Sequence, residues 1–581
     1  MRIALASITA LALAAPAFAT PVEDFRDLIA DYEAFTAERN LGARARAGDL
    51  EAAASWPDSS LSAIEDWDEG MAGFDARIDA IDPADLPAEE QANYAVLAYE
   101  LDSAVAVPSM TTAMIPFTND SGFHTTASFA ALTTRVRTVE EAEAWIAKLN
   151  ALPDYIAQQQ AWLERGIETG FTQPRAILEG VADQIEAQIT PASDSELLTP
   201  IRNLPETIPA SERERLMAEA VEAVETEALP ALQALHAFFT ETYMPAARDT
   251  LGARSLPGGE DLYRALVRQH TTLDMTPEQV HQRGQAEVAR IRADMEEVIA
   301  ETGFEGSFAD FLVFLRTDPQ FYAESELELM MAASYFAKQA DDAMPRFFHK
   351  LPRLSYGVRP VPAAIAPNYT TARYWPGDAE QGIAGGYMVN TYRLDQRPLY
   401  ELPALTVHEA VPGHHHQIAI AQELENVPDF RTQGYITAFG EGWALYTEFL
   451  GQDMGIYETP YQHFGRLTYE MWRACRLVAD TGIHWYGWSR EEAEACFLEN
   501  SALSPLNITN EVSRYISWPG QALAYKTGEL LIRELRSDAE DALGETFDLA
   551  AFHDHILDEG AVPLGYLETK MRAWIADQAA E

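Results

Sequence analysis

Only two of the 581 residues are cysteine, Cys475 and Cys496. Neither belongs to a CxxC pair or sits at zinc-ligand spacing, which excludes a cysteine-based metal site; the two can close a disulfide or stay as buried thiols. Cations are also scarce: 41 Lys and Arg stand against 91 Asp and Glu, a formal net charge of −50. A nucleic-acid binder needs a basic footprint, and none is present. Such a charge favours solubility and repels anionic surfaces, without specifying a fold. No uninterrupted apolar run reaches the roughly 18 residues of a membrane span. Nor does any Pro/Gly/Ser-rich linker, low-complexity tract or internal repeat divide the chain.

The N-terminus reads MRIALASITALALAAPAFATP. Arg2 is a minimal basic region, Ile3 to Ala15 an apolar stretch, and Ala17-Phe18-Ala19 an A-x-A cleavage site. We expect a signal peptide over 1–19, cut after Ala19, and no lipid or membrane anchor, because no Cys follows the apolar stretch. The protein is then periplasmic or secreted. Residues 20–581 read as one helical catalytic unit, with an N-terminal helical part over 20–255 and a part carrying the site over 256–581. Phe25, Leu28, Ile29, Tyr32 and Phe35 recur at helical spacing, as do Val136, Ala142, Trp145, Ile146 and Leu149. Thr276-Pro277-Glu278 opens a helix striped by Val280, Val288, Ile291, Met295 and Ile299, and Gly303 stops it.

HEAVPGHHHQ, residues 408–417, holds the densest chemistry. The HExxH signature places two histidines on one helical face, with the Glu beside the first aimed at the water of a metal site. Here the position four after His408 is Pro412, which cannot coordinate. On a regular helix the six-residue step to His414 turns roughly 600°, leaving it about 120° off the face of His408. An outward bulge of two residues would cancel that rotation. Pro412-Gly413 suits one, since Pro breaks the hydrogen-bond ladder and Gly tolerates unusual dihedrals. An unbulged helix would offer His415 instead, about 20° off the face but roughly 10.5 Å along the axis. We favour His414, with His415 as the alternative. Glu409 after the first His and Gln417 after the last argue against a plain histidine tract that binds metal adventitiously.

A zinc site of this kind needs a third protein ligand and an open position. The candidate is Glu441 in GEGWALYTEFL, ahead of an apolar helical stretch; Glu448, nearly on the same face, is its reserve. Alone, Glu441 would read as a solvated acid near a helix N-terminus. Before the histidines, LSYGVRPVPAAIAPNYTTARYW and GIAGGYMVNTYRL carry strand signals. They predict a small antiparallel sheet, either an ordinary hairpin under the histidine helix or an edge, lined by Gly385, Gly386 and Asn390, that accepts an extended peptide. Downstream, Arg473, Arg476, Asp480 and His484 fall within about an 80° arc of one helix face. If buried, such a stripe must be paired or face a cavity; the simpler outcome is an Arg476–Asp480 surface pair. Arg514, Tyr515, Gln521 and Tyr525 gather around Trp518-Pro519-Gly520. Arg473, Arg476 or Arg514 could grip a substrate carboxylate, and a Tyr or His facing the zinc could stabilise an oxyanion.

Together, HEAVPGHHHQ, GEGWALYTE, DTGIHWYGWS and EVSRY…PGQALAYKTGE resemble the bacterial domain-of-unknown-function 885 family, over about residues 22 to 575. RGIETGFTQPR and LPGGEDLYRALVRQHTTLDMTPEQVH are weaker marks. That family is similar to helical gluzincin-type zinc peptidases with a lengthened HExxH helix. The resemblance implies a mainly α-helical, metallopeptidase-like fold and one Zn2+ per chain on His408, His414 and Glu441. It also implies Glu409 as general base, with His484, Arg514 and Tyr515 facing the cleft. The expectation is an exported zinc metallopeptidase that hydrolyses short peptides. Its rivals are a zinc hydrolase of another amide or ester, and a non-catalytic periplasmic binder of metal or peptide. Glu409 argues against the binder, which needs no general base.

Overall fold

The computed structural model describes residues 20–119, 121–363, 365–379 and 381–580, so the expected signal segment at 1–19 lies outside it. Helices dominate. Thr20 caps the helix Pro21–Arg39, whose Phe25, Leu28, Ile29 and Tyr32 are buried at the spacing read from the sequence. The elements that build the site are α1 (Pro277–Thr302), β1 (Tyr356–Pro360), β2 (Ala372–Trp375), β3 (Gly385–Val389), α2 (Leu402–Glu409) and α3 (His414–Gln422). They continue with α4 (Thr437–Met454), α5 (Pro460–Thr481), α6 (Arg490–Asn500), α7 (Pro505–Ser517) and α8 (Ala524–Leu543).

Helix α1 shows why these segments fold locally. The Thr276 side chain accepts from the Gln279 N–H, and Gln279 accepts from the Thr276 N–H. Pro277 occupies a position whose N–H would have no helical partner, and Gly303 closes the helix at φ 70°. Val280, Ile291, Met295 and Ile299 form its buried stripe. Along the seam with α5, Gly284 lets the helices close up: a Cβ there would stand 2.7 Å from the Leu477 Cβ. Ile291→Ala in this seam would cost about 2–5 kcal/mol.

The expected antiparallel sheet is instead mixed, in the order β1-β3-β2. β2 and β3 pair antiparallel, and β1 joins β3 in parallel. The chain reverses twice between β1 and β3, so those two strands run the same way. β3 is therefore central and hydrogen-bonded on both sides, and Gly385 and Gly386 lie at no edge. β2 is an outer strand of the sheet. The Asn390 N–H donates to the Thr371 carbonyl on the β3 side, which by alternation turns the backbone groups of Ala372 and Tyr374 outward.

One hydrophobic core runs from Trp56, Trp145 and Phe239 to Phe464, Met471 and Tyr515, spanning both parts of the chain. A second packs Val407 and Val411 of the histidine segment against Phe439, Trp443, Tyr446 and Phe552. Cys475 and Cys496, whose pairing spacing alone left open, form a disulfide between α5 and α6. Among the described residues, no helix is long and apolar enough to cross a membrane.

Candidate metal centre

Helix α2 ends at Glu409 and α3 begins at His414, so the chain leaves the helix at 410–413 and re-enters it. The Gly413 N–H donates to the Val407 carbonyl at 2.9 Å and the His415 N–H to the Ala410 carbonyl at 3.1 Å, closing a bulge. Only glycine fits at 413, because a Cβ would collide with the His408 carbonyl oxygen. Helix α4 steadies the turn: the Trp443 indole N–H donates to the Pro412 carbonyl at 2.8 Å, and the Thr447 hydroxyl to the Val407 carbonyl at 3.0 Å. The bulge brings His414 beside His408, with ring centroids 4.9 Å apart and ring planes perpendicular.

Glu441 on α4 completes the group. His408, His414 and Glu441 each offer one ligand atom, all within 4.8 Å of one another, and Glu441 Oε2 is 3.5 Å from the Nε2 of both imidazoles. That oxygen is buried with no hydrogen-bond partner among the described residues, a costly arrangement unless something else answers it. Two imidazole nitrogens and a carboxylate oxygen on one point suit a divalent ion such as zinc. The local charge agrees. Glu409, Glu441 and Glu448 are three carboxylates, and the guanidinium that answers them is Arg473, 3.8 Å from Glu448. Burial works against a charge on His408, yet Glu441 and Glu448 outweigh it and push its pKa up to about 10. Burial likewise resists ionisation of Glu441, but the two imidazoles, His414 foremost, hold it well below the usual carboxylate range. Each group asks for positive charge, which a metal ion supplies as well as a proton does.

Glu441 and Glu448 share a helix face, as their spacing implies, but they grip opposite edges of one ring. Glu448 pairs with His408 Nδ1 at 2.8 Å. With a metal ion in place of the second ring proton, this contact would keep the proton on Nδ1 and turn the Nε2 lone pair toward His414 and Glu441, the usual support for a metal-binding histidine. Glu448 therefore stands behind the imidazole. The glycines flanking Glu441 explain how it gets there. A Cβ on Gly442 would lie 2.5 Å from the Gly528 Cα of α8, and one on Gly440 would collide with the Tyr435 hydroxyl.

Glu409 faces the sheet, where its Oε2 accepts the outward Tyr374 N–H of β2 at 2.7 Å. His415 supports the same strand instead of joining the cluster. Its Nδ1 accepts from the Tyr374 hydroxyl at 2.9 Å, its Nε2 reaches the Leu354 carbonyl at 3.1 Å, and burial lowers its pKa to about 4. His416 packs on Phe348, and burial lowers it to about 3. Tyr435 is a residue that sequence reasoning missed. It is 47% exposed, yet its hydroxyl packs against Gly440, beside Glu441. Burial first, then the charges of Glu441, Tyr525 and Glu409, raise that hydroxyl well above the ordinary tyrosine value. The one available signal was a glycine beside Glu441.

Other expected residues are engaged elsewhere. Asn390 donates to the carbonyls of Ala366, Tyr369 and Thr370 and accepts from the Tyr392 N–H, so it staples a loop. Neither it nor Gly386 in the central strand is free to bind an incoming peptide. Arg473 lies over Trp472 and Tyr469 and toward Glu448, behind the metal cluster instead of in front of it. His484 is not a cleft residue: Nδ1 accepts the Ala253 N–H at 3.0 Å, Nε2 pairs with the Tyr515 carbonyl at 2.9 Å, and burial lowers it to about 3. The Tyr515 hydroxyl is saturated, donating to Glu511 and accepting from Trp472 and Arg476. Asp480 is buried and accepts from Tyr263 and the Gly520 N–H, so it makes no surface pair with Arg476. Arg476, Arg514 and Tyr525 do come together: the Arg476 guanidinium lies 4.3 Å over the Tyr525 ring, and Arg514 reaches the Tyr525 hydroxyl at 3.4 Å.

The architecture recurs in solved structures. That of a presumed lipoprotein from Colwellia psychrerythraea matches with a TM-score of 0.87 at 26% identity, covering 95% of this chain and 100% of that one. A presumed lipoprotein of unknown function from Shewanella oneidensis matches at 0.74 and 17% identity, over 96% and 100%, and shares the fold alone. No protein with a curated description matches the chain. The profile of one family matches residues 41–571, and the chain belongs to that family, the bacterial proteins of unknown function DUF885.

Proposed function

We propose that the protein is an exported zinc-dependent peptidase of short peptides, with His408, His414 and Glu441 holding the metal and Glu409 as general base. The observation that carries this reading is the convergence of three ligand atoms on a point where a buried Glu441 oxygen has no hydrogen-bond partner among the described residues, with Glu409 next in the chain to the His408 ligand. A zinc ion bound there would supply Lewis acidity, polarising a substrate carbonyl and acidifying water. The remaining chemistry belongs to the chain. Glu409, with one oxygen held by the Tyr374 N–H, takes a proton from the attacking water and hands it to the leaving amine. The outward edge of β2 offers the Ala372 backbone groups and the Tyr374 carbonyl to an extended substrate, in place of the edge expected at Gly386 and Asn390. Tyr435 stands beside Glu441 as a hydroxyl donor to the developing oxyanion. An exported location is compatible with the lipoprotein descriptions of the structural neighbours.

The test is to purify the protein, assay its metal, and follow cleavage of a short-peptide panel with and without chelator. Wild type should hold one zinc and lose turnover when stripped. Glu409→Gln should keep its zinc and lose at least ~10²-fold in kcat. Wild-type turnover in that variant would remove Glu409 from the mechanism.

A further inference from the structure

The metal centre is short of positive charge, and a second buried locus has the opposite imbalance. Arg476 on α5 and Arg514 on α7 share one carboxylate, Glu511. Arg476 Nη2 donates to it at 2.9 Å, and Arg514 Nη1 stands 3.9 Å away. Arg476 is 3% exposed and lies between the Trp472 and Tyr525 rings, at 4.6 and 4.3 Å. Its Nε donates to the Tyr515 hydroxyl, but its Nη1 has no hydrogen-bond partner among the described residues. Arg514 is more open, and its Nη2 donates to Gln521 at 2.9 Å and reaches the Tyr525 hydroxyl. Asp480, one turn from Arg476, does not restore the balance. Its oxygens accept from Tyr263 and Gly520, and burial pushes its pKa up to about 7. Two guanidiniums against one carboxylate leave one positive charge in excess and one buried donor unfilled, which is costly until an anion arrives. Planar guanidinium forks match carboxylates best.

The locus adjoins the metal centre through helix α8. Tyr525, which Arg476 stacks on and Arg514 touches, lies at the start of α8, and Gly528 one turn later packs against Gly442, the residue after Glu441. We propose that Arg476 and Arg514, framed by Tyr525, bind the free C-terminal carboxylate of the substrate, so that the enzyme reads peptides from their carboxyl end. This inference rests on the peptidase reading.

The test uses one peptide sequence in three forms: free acid, C-terminal amide, and amide with Glu as last residue. Wild type should cleave the acid about 10- to 100-fold better in kcat/KM than the plain amide, the range expected for one charged hydrogen-bonding contact. Arg514→Gln should bring that ratio close to one with zinc content unchanged; Arg514 is chosen because it is the more exposed of the pair. Equal cleavage of acid and plain amide by wild type would overturn the proposal, and so would an unchanged ratio in the variant. A Glu-ended amide cleaved as well as the acid would overturn the assignment to the C-terminus. If no peptide is cleaved, the peptidase reading fails separately, and titration calorimetry of acid and amide against the zinc-loaded protein still decides the subsite. Tenfold tighter binding of the acid supports it, and equal binding overturns it.

Discussion

Two buried clusters of charge lie in the C-terminal half, one around Lys526 and one around His408, and they are built differently. Lys526 Nζ sits 2.8, 2.9 and 3.1 Å from Glu529, Glu470 and Glu287, and Arg290, Arg466 and Arg533 close the shell with Asp294 on its rim. Four cations meet four carboxylates, and the set is balanced. Around His408 the carboxylates outnumber the guanidinium among the described residues, and the Glu441 oxygen that faces both imidazoles has no hydrogen-bond partner there. Burial alone thus does not mark a functional site. A balanced buried network fastens helices to one another, whereas an unbalanced one is arranged for something that arrives later.

The comparison can be broken at several points. The largest effect is expected at the ligands. Glu441→Ala and His414→Ala should purify nearly metal-free, with zinc affinity down by several orders of magnitude in a competitive chelator titration, while His415→Ala keeps most of its metal. Loss at His415 with retention at His414 would refute the bulge argument. Lys526→Met should do the reverse, destabilising the fold by about 3–5 kcal/mol in a denaturant melt while leaving zinc stoichiometry at one. Metal loss in that variant would merge the two clusters into one functional unit. Glu448→Ala is intermediate, because it stands behind a ligand: zinc should bind about 10–100-fold more weakly.

The smallest effect separates packing from catalysis at His484. Burial lowers its pKa from the ordinary 6.5 to about 3. The unfolded chain therefore binds a proton that the folded one refuses, and this contribution to stability is complete above about pH 6.5 and lost as pH falls toward 3. Between pH 7.5 and 5 the loss is about 2 kcal/mol. His484→Gln should flatten the pH dependence of the melt by that amount and preserve most turnover. A collapse of kcat in a folded His484→Gln would return the residue to the catalytic machinery.

The site was more legible in the sequence than its surroundings. The juxtaposition of His408 and His414 could be read because chelation has a strict angular requirement, and Pro412-Gly413 is a local device that repairs the register. Glu441 could be separated from Glu448 only in three dimensions, since both lie on one helix face and both reach the same imidazole. The sheet was legible as strands but not as pairing: which strand lies in the middle depends on how the chain reverses between β1 and β3, and no side-chain pattern records that. Asn390 looked substrate-binding, and His484 and Tyr515 catalytic, because polar groups near a site do, but each has its hydrogen bonds used up by backbone or neighbouring side chains. Tyr435 was invisible for the opposite reason, being a lone aromatic whose role comes from a glycine five residues away.

The contact between Gly442 and Gly528 reaches beyond packing. Gly442 follows Glu441 on α4, and Gly528 lies three residues after Tyr525 on α8, with no side chain between the two backbones. The helix bearing Glu441 is therefore butted directly against the helix that frames the arginine pair. On the proposed peptidase reading, a peptide held at both ends of that span would meet the two backbones as a ruler, and the scissile bond would be chosen by distance from the terminus, not by the identity of the side chains between.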